Sequence, residues 1–264
     1  MKSVIVTSFD ENYYPYAHVS VKSFSLNYTG DKKLDYFCMV PTSLLHREAE
    51  FINKIKAENL NIKFVSSTTY GEIEKDKDKI SIIGEGSQCF NRHALHRLFM
   101  VDVCEGFDKA IYIDPDTLVM RNVQPILDYP LNNKFIACPE IHDEFNNLTG
   151  NLDEIYFNDG VFITDLNFWR ISGMHFKIKK YIYNNPVPQF MDQDILNLFF
   201  KDYLYPLPLS FNSYPIHLKN DLIKNHLHDP LIVHFVGFKK PWKAPTEDDY
   251  SKAWHKLYKE LNRA

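Results

Sequence analysis

Lys109-Ala110-Ile111-Tyr112-Ile113-Asp114-Pro115-Asp116-Thr117-Leu118-Val119 is the stretch on which the reading of this chain turns. Ala110 to Ile113 has the β-branched and aromatic content of a buried strand, and it stops abruptly on two carboxylates separated by a proline. Pro115 biases Asp114 toward an extended backbone. In an extended chain residues two apart point the same way, so the Asp114 and Asp116 carboxylates are expected to share one side. Like charges that close repel unless they are neutralised. A shared proton would do this, as would a hard divalent cation such as Mg²⁺ or Mn²⁺, which takes oxygen ligands and often bridges to substrate phosphates. A solvated Asp-Pro-Asp turn is the plainer alternative at this point.

Working outward, 264 residues suffice for one large α/β domain or two small ones. Thirty Lys and Arg against 34 Asp and Glu give a formal net charge of −4, so nothing in the balance favours nucleic acid or an anionic membrane as partner. Met1-Lys2-Ser3 runs straight into Val4-Ile5-Val6 and then reaches Asp10 and Glu11, which leaves no room for the apolar region of a signal peptide. No apolar run approaches the ~20 residues of a membrane span. Cys38, Cys89, Cys104 and Cys138 are far apart with no Cys-x-x-Cys pair, and the expectation is reduced thiols in a cytoplasmic protein.

The first part of the chain alternates strand and helix: a strand at Val4–Val6, a helix from about Tyr16 to Leu26, a strand at Leu34–Val40, a helix capped by Thr42 or Ser43 and reaching about Glu58, and a strand at Ile62–Val65. This alternation predicts a largely parallel sheet. Thr7 to Tyr13 then lies beyond the carboxyl end of the first strand, where open α/β sheets bind ligands. It has no Gly-x-Gly-x-x-Gly, which disfavours a dinucleotide-binding enzyme. The charge run Glu72 to Lys79 reads as a solvated surface. Arg92 to Cys104 reads as a helix that carries Arg97 toward an anion; His93 and His96, three apart on it, read as ordinary surface or core histidines rather than zinc ligands.

Beyond Asp116 the expected elements are a short helix at Gln124–Tyr129, a strand at Phe135–Cys138 and a loop from Pro139 to Ile155. Next comes an apolar strand or bulge interrupted by Asn158-Asp159-Gly160, where Gly160 would let another backbone or a ligand come close. A helix from Phe168 to Tyr183 precedes a buried helix opened by Met191-Asp192-Gln193-Asp194, with Asp192 as its N-cap. Capping and dipole chemistry account for that acidic trio, and so would a polar pocket at the helix mouth. A proline-punctuated passage with Asn212 and His217 leads to a strand at Leu231–Gly237 that carries His234. A final helix spans about Asp248 to Asn262.

Tyr-Ile-Asp-Pro-Asp, Tyr-Phe-Asn-Asp-Gly-Val-Phe-Ile, Met-Asp-Gln-Asp-Ile-Leu-Asn and His-Phe-Val-Gly-Phe-Lys-Lys-Pro-Trp resemble, in order and approximate spacing, the retaining glycosyltransferases of family 8, from Val4 to about Trp242. That family includes lipopolysaccharide galactosyl- and glucosyltransferases and the glycogenins. The resemblance implies an α/β GT-A fold, a Rossmann-like and mostly parallel central sheet flanked by helices, with a UDP-sugar donor and Mn²⁺, or Mg²⁺, as cofactor. It implies Asp114, Asp116 and His234 as metal ligands, Gly237 and Lys240 at the diphosphate, and Arg97 holding the donor. Ser8, Asp10, Asn12 and Tyr13 match the uridine side, with Tyr13 available to stack on the base. Asn158, Asp192 and Gln193 match positions around the sugar, the last two as candidate catalytic groups stabilising an oxocarbenium-like centre. Asp159 departs from the family pattern, where a small residue is commoner; an extra carboxylate near the sugar would accept a hydroxyl hydrogen bond and alter donor choice.

The expectation is therefore one GT-A catalytic domain over residues 1–264, with a nucleotide-binding half to about 120, a sugar and acceptor half to about 245 and a C-terminal helix. Its activity would be metal-dependent, retaining transfer of glucose or galactose from a UDP-hexose to the hydroxyl of a glycan, lipid-linked or protein acceptor. The metal would act as Lewis acid on the departing UDP with help from Lys240. The competing readings are a catalytically silent nucleotide-sugar or glycan-binding module, and a nucleotidyltransferase, which would call for a glycine-rich basic loop where Thr7 to Tyr13 stands.

Overall fold

The computed structural model describes residues 1–83, 92–131, 134–139, 156–215, 229–243 and 248–263. In chain order these form β1 (Ser3–Ser8), α1 (Tyr14–Leu26), β2 (Leu34–Met39), α2 (Glu48–Ile55), β3 (Leu60–Val65) and α3 (Thr68–Lys75). A 3-10 segment, Arg92–Asp102, leads to β4 (Lys109–Ile113), β5 (Thr117–Val119), α4 (Gln124–Leu127), β6 (Phe135–Pro139) and β7 (Phe157–Asp165). Then come α5 (Leu166–Ser172), α6 (Met174–Asn184), α7 (Met191–Phe200), β8 (Leu204–Pro206), β9 (Ile232–His234) and α8 (Asp249–Leu261).

The central sheet has the order β3-β2-β1-β4-β7-β6-β8, and β5 pairs separately with β9. β1 runs parallel to β2 and β4, β2 to β3, and β6 to β8, while β7 is antiparallel to both β4 and β6. Every residue of β4 is buried, as a strand covered on both faces requires. Its side chains alternate: Ala110 and Tyr112 pack in the core with Leu98, Trp169 and Leu196, and Ile111 and Ile113 pack on the opposite face with Phe24 and Phe51. A third cluster, built on Val19, Leu118, Val233, Phe235 and Trp254, holds the β5–β9 pair and α8 against α1. The mostly parallel α/β sheet flanked by helices is the one the strand-helix alternation predicts.

Several local expectations give way. Thr42 and Ser43 cap nothing: Pro41 is extended, a 3-10 turn spans Thr42–Arg47, no side chain caps it, and the Ser43 hydroxyl bonds Glu11 instead. Arg92–Asp102 is not an α-helix but a 3-10 run broken at Phe99 (φ −117°, ψ 23°). His93 and every residue from Leu95 to Val101 are buried in it, so no exposed face imposes a helical period. The long helix expected before Pro186 is two, parted by Gly173, which takes φ +61°. Asp192 is not an N-cap. Phe190 holds that position, its N–H bonds Asp194 Oδ2 at 2.9 Å, and Asp192 sits inside the first turn. β5 and β8, three residues each, are too short to show a period in sequence. The charge run from Glu72 to Lys79 is largely exposed apart from Ile73, as expected. Glu140 to Ile155, His217 and Cys89 lie outside the described residues.

Two registers build the site. β4 and β7 pair Ile113 with Val161, and the ladder continues one step to Asp114 N–H bonding the Gly160 carbonyl at 2.8 Å. β5 and β9 pair Thr117 with His234, and Phe235 N–H bonds the Asp116 carbonyl at 3.0 Å. Strand ends distant in sequence thereby converge on the Asp114–Asp116 turn.

Candidate active site

The turn is not solvated: Asp114 and Asp116 are only 9% and 5% exposed. Its backbone is pinned by Thr117 Oγ1, which donates to the Asp114 carbonyl at 2.7 Å and lies 2.8 Å from Ser20 Oγ. Asp114 Oδ1 accepts from the Tyr112 hydroxyl at 2.9 Å and faces Arg97 Nη2 at 2.9 Å. Its Oδ2 lies 3.5 Å from His234 Nε2, and Asp116 Oδ1 lies 3.2 Å from the same nitrogen. Asp116 Oδ2 takes the Lys240 ammonium. One ligand atom each from Asp114, Asp116 and His234 fall within 4.8 Å of one another. Gly160 is what admits the His234 ring, since a Cβ there would stand 2.1 Å from His234 Cε1. The close approach that this glycine allows is thus to a side chain, not to another backbone.

Burial pushes the Asp114 carboxyl up and Asp116 adds to that, against the pull of Arg97 and His234. In Asp116 the same burial is overcome by Lys240 and His234, which hold it below the ordinary carboxylate range. A set of two oxygens and an imidazole nitrogen, with Asp116 Oδ1 buried and lacking a hydrogen-bond partner, fits a hard divalent cation.

Arg97 joins this centre to the next. Its Nη2 faces Asp114, its Nε lies 2.7 Å from Asp192 Oδ2, and its Nη1 lies 3.5 Å from Asp159 Oδ2 and donates to the Asp159 carbonyl at 3.3 Å. The guanidinium stands 4.6 Å over the Tyr112 ring. Burial disfavours its charge, but Asp114, Asp192, Tyr112 and Asp159 outweigh that and raise its pKa. Burial, and then the neighbouring Asp192, push Asp159 well above the usual carboxylate range. Asp192 is aimed by an unusual backbone: Met191 opens α7 at φ +45°, the left-handed region that a methionine adopts only at a cost of about 1 kcal/mol or more.

A chain of amides lines the opposite wall. Asn158 Nδ2 donates to Gln193 Oε1 at 2.8 Å, and Gln193 Nε2 donates to the Tyr156 hydroxyl at 3.1 Å. Asn158 Oδ1 accepts from Gly160 N–H at 2.9 Å and from Asn212 Nδ2 at 2.8 Å, and Asn212 Oδ1 lies 2.9 Å from His234 Nδ1. Sequence reading placed Asn212 only in a loop and Tyr112 only in an apolar run. Nothing local marks either, because the first is brought in by the β9 register and the second by the pleat of β4.

The loop after β1 forms the remaining side. Asp10 is its organiser, accepting from Asn12 N–H at 3.0 Å, Asn12 Nδ2 at 3.0 Å and Tyr13 N–H at 3.1 Å. Tyr13 stands edge-on to Trp242 at 5.6 Å, and Trp242 stacks on Tyr16 at 4.3 Å. Gly237 takes φ +72° in the turn that brings Lys240 back to Asp116. Ser8 Oγ lies 3.1 Å from His93 Nε2, and His96 Nε2 accepts from Ser67 N–H at 3.0 Å. Both histidines are buried.

The sequence profile described as glycosyl transferase family 8 matches residues 4–246. The chain belongs to that family. This family 8 member is 27% identical over 216 residues to general stress protein A of Bacillus subtilis strain 168, covering 75% of this chain and 74% of that protein. Among solved structures it superposes on an active-site mutant of LgtC with TM-score 0.77 at 22% identity, over 97% of this chain and 95% of that one. A second LgtC structure, the galactosyltransferase with donor and acceptor sugar analogues, gives TM-score 0.73 at 22% identity and the same coverage. GlyE, a glycosyltransferase of Streptococcus pneumoniae TIGR4, gives 0.69 at 19% identity, with 99% of this chain matched to 63% of GlyE. The fold of this family 8 glycosyltransferase is GT-A. No described helix is long and apolar enough to cross a membrane.

Proposed function

We propose that the protein is a retaining hexosyltransferase that moves glucose or galactose from UDP to an acceptor hydroxyl with Mn²⁺, or Mg²⁺, as cofactor. The observation that carries this reading is the convergence of Asp114, Asp116 and His234 at the carboxyl ends of β4 and β9. A cation held by these three residues would draw charge from the diphosphate leaving group. Lys240 and the Gly237 turn serve the same diphosphate. Ser8, Asp10, Asn12 and Tyr13 serve the uridine side, where the half-buried Tyr13 ring offers a stacking face. We assign Arg97, Asn158 and Asp159 to holding the sugar, and Asp192 and Gln193 to stabilising the positive charge that would develop at the reacting carbon.

The description of LgtC as a galactosyltransferase, bound to donor and acceptor sugar analogues, supports the hexose. The whole chain acts as one catalytic domain. Cys38 and Cys104 are free thiols, which supports a cytoplasmic setting.

Thermal-shift and donor-hydrolysis measurements across UDP-sugars, with and without Mn²⁺, test this. The expected result is Mn²⁺-dependent UDP binding, lost in Asp114→Asn and Asp116→Asn, and release of sugar from UDP-glucose or UDP-galactose. UDP binding that ignores both the metal and the two substitutions would overturn the metal reading. Binding without sugar release, with or without acceptors, would make the protein a silent nucleotide-sugar module.

A further inference from the structure

We propose that Asn212 is a positioning residue which, through a fixed relay of amide hydrogen bonds, keeps the His234 proton on Nδ1 and turns the Nε2 lone pair toward Asp114 and Asp116. The proposal rests on the reading of those three residues as a divalent-metal site. It adds a residue that touches no ligand itself.

The relay starts from a group whose role is not negotiable. Backbone Gly160 N–H can only donate, and it lies 2.9 Å from Asn158 Oδ1, so that atom is the carbonyl oxygen. Asn158 Nδ2 is then the end that meets Gln193 Oε1 at 2.8 Å. Asn212 comes within 2.8 Å of the same Asn158 Oδ1 and must therefore present its NH₂ there. Its own Oδ1 is left for His234 Nδ1 at 2.9 Å, and a carbonyl oxygen only accepts. The ring proton of neutral His234 is thereby fixed on Nδ1, and Nε2 is a bare lone pair 3.2 Å from Asp116 Oδ1 and 3.5 Å from Asp114 Oδ2. The reverse tautomer would need Asn212 flipped, with two carbonyl oxygens opposed.

When the ring is neutral, Nε2 and the two carboxylates set three lone-pair atoms against one another. Positive charge at that point, a second ring proton or a metal cation, makes the same arrangement favourable, which is the pull His234 exerts on Asp114 and Asp116. Water cannot replace the relay, because Asn158 and Asn212 are only 6% and 3% exposed. Backbone pairing keeps it aligned: Ser213 N–H bonds the Ile232 carbonyl at 2.9 Å, and His234 N–H bonds the Ser213 carbonyl at 2.8 Å, so residues 212 and 234 move together. Outer partners that orient a metal-ligating histidine contribute roughly 10- to 100-fold in metal affinity.

Two measurements test this. Proton–nitrogen correlation of the imidazole rings in the wild-type protein without metal, with the rings neutral, is expected to place the His234 proton on Nδ1. A proton on Nε2 overturns the proposal. Titration with Mn²⁺ alone, followed by calorimetry or spin resonance, is expected to show Asn212→Leu binding roughly 10- to 100-fold more weakly than wild type. Asn212→Asp, which keeps an acceptor for Nδ1 but loses the donor to Asn158, should fall between. Equal affinity of wild type and Asn212→Leu overturns the proposal. Should Asn212→Leu not fold, the ring-proton position in the wild type decides. A wild type that takes up no Mn²⁺ would sink the metal reading, and the ring-proton result would still decide the relay.

Discussion

Lys240 donates its ammonium to Asp116 Oδ2 and, at 2.6 Å, to the Phe235 carbonyl, so a lysine cation rests on one oxygen of a carboxylate whose other oxygen faces His234 at 3.2 Å. All these groups are buried. A lysine in this place offsets a carboxylate that would otherwise be buried without compensation, and it is within reach of any diphosphate drawn to the same centre. It also competes with a cation for Asp116.

Lys240→Met separates these roles. Without ligand the variant should unfold at a lower temperature than wild type, because Asp116 loses its partner. Mn²⁺ should then raise its melting temperature by more than it raises that of wild type. UDP affinity in the presence of Mn²⁺ should fall about tenfold or more, the value of one charged hydrogen bond. Unchanged UDP affinity measured by calorimetry would remove Lys240 from the diphosphate.

Gly160→Ala is expected to abolish Mn²⁺-dependent UDP binding. The new methyl would stand 2.1 Å from His234 Cε1 and 2.5 Å from Nδ1, so the ring must leave its place beside Asp114. The surrounding strand residues are buried and Asp114 N–H holds the Gly160 carbonyl at 2.8 Å, which limits any relief by backbone movement. Calorimetric titration with Mn²⁺ and UDP, beside a circular-dichroism check of the fold, reads the effect.

Arg97 and Asp159 make a linked pair of predictions. Arg97→Met leaves Asp114, Asp159 and Asp192 without their common cation, and losing one partner of a buried ion pair typically costs about 3–5 kcal/mol of stability. Adding Asp192→Asn should recover part of that loss in denaturant unfolding. Asp159→Ala instead leaves Arg97 Nη1 with the residue-159 backbone carbonyl and removes a buried carboxyl whose Oδ2 has no hydrogen-bond partner. The ratio of UDP-hexose to UDP affinity should therefore fall about tenfold, and the preference between UDP-glucose and UDP-galactose should change. Identical donor preference in Asp159→Ala and wild type would show the carboxyl to be structural.

The sheet was legible because its information is local. The apolar runs of β1, β2 and β4, each followed by polar residues, state both strand and direction. The Asp114-Pro115-Asp116 pair was legible as chemistry because two carboxylates at that spacing demand an explanation wherever they sit. What sequence could not show depends on register. Thr117 opposite His234 and Asp114 beside Gly160 come from strand pairs separated by more than 40 residues. Asn212 enters the site only through them. Asp192 was misread as a cap because capping is a local rule, whereas its carboxylate answers to Arg97, brought close by a 3-10 segment whose all-round burial hides its period.

A last prediction concerns acid. His18 on α1 packs against Phe51 at 4.2 Å and Tyr14 at 5.1 Å, and burial lowers its pKa to about 4. Burial likewise takes His93 to about 4, despite the opposing pull of Asp10. Both rings are neutral in the fold, while in the unfolded chain a histidine titrates near 6.5. Between these values the unfolded state binds more protons than the folded state, so stability rises with pH in that window and is lost as pH falls from about 6.5 toward 4. Each such histidine can contribute a slope of up to about 1.4 kcal/mol per pH unit there. Urea unfolding measured across the window should show this slope. His18→Phe, which fills an aromatic cluster without a titrating group, should reduce it while leaving stability at neutral pH within about 1.5 kcal/mol. A slope unchanged by His18→Phe would mean that the His18 ring is already charged, or solvated, in the folded protein.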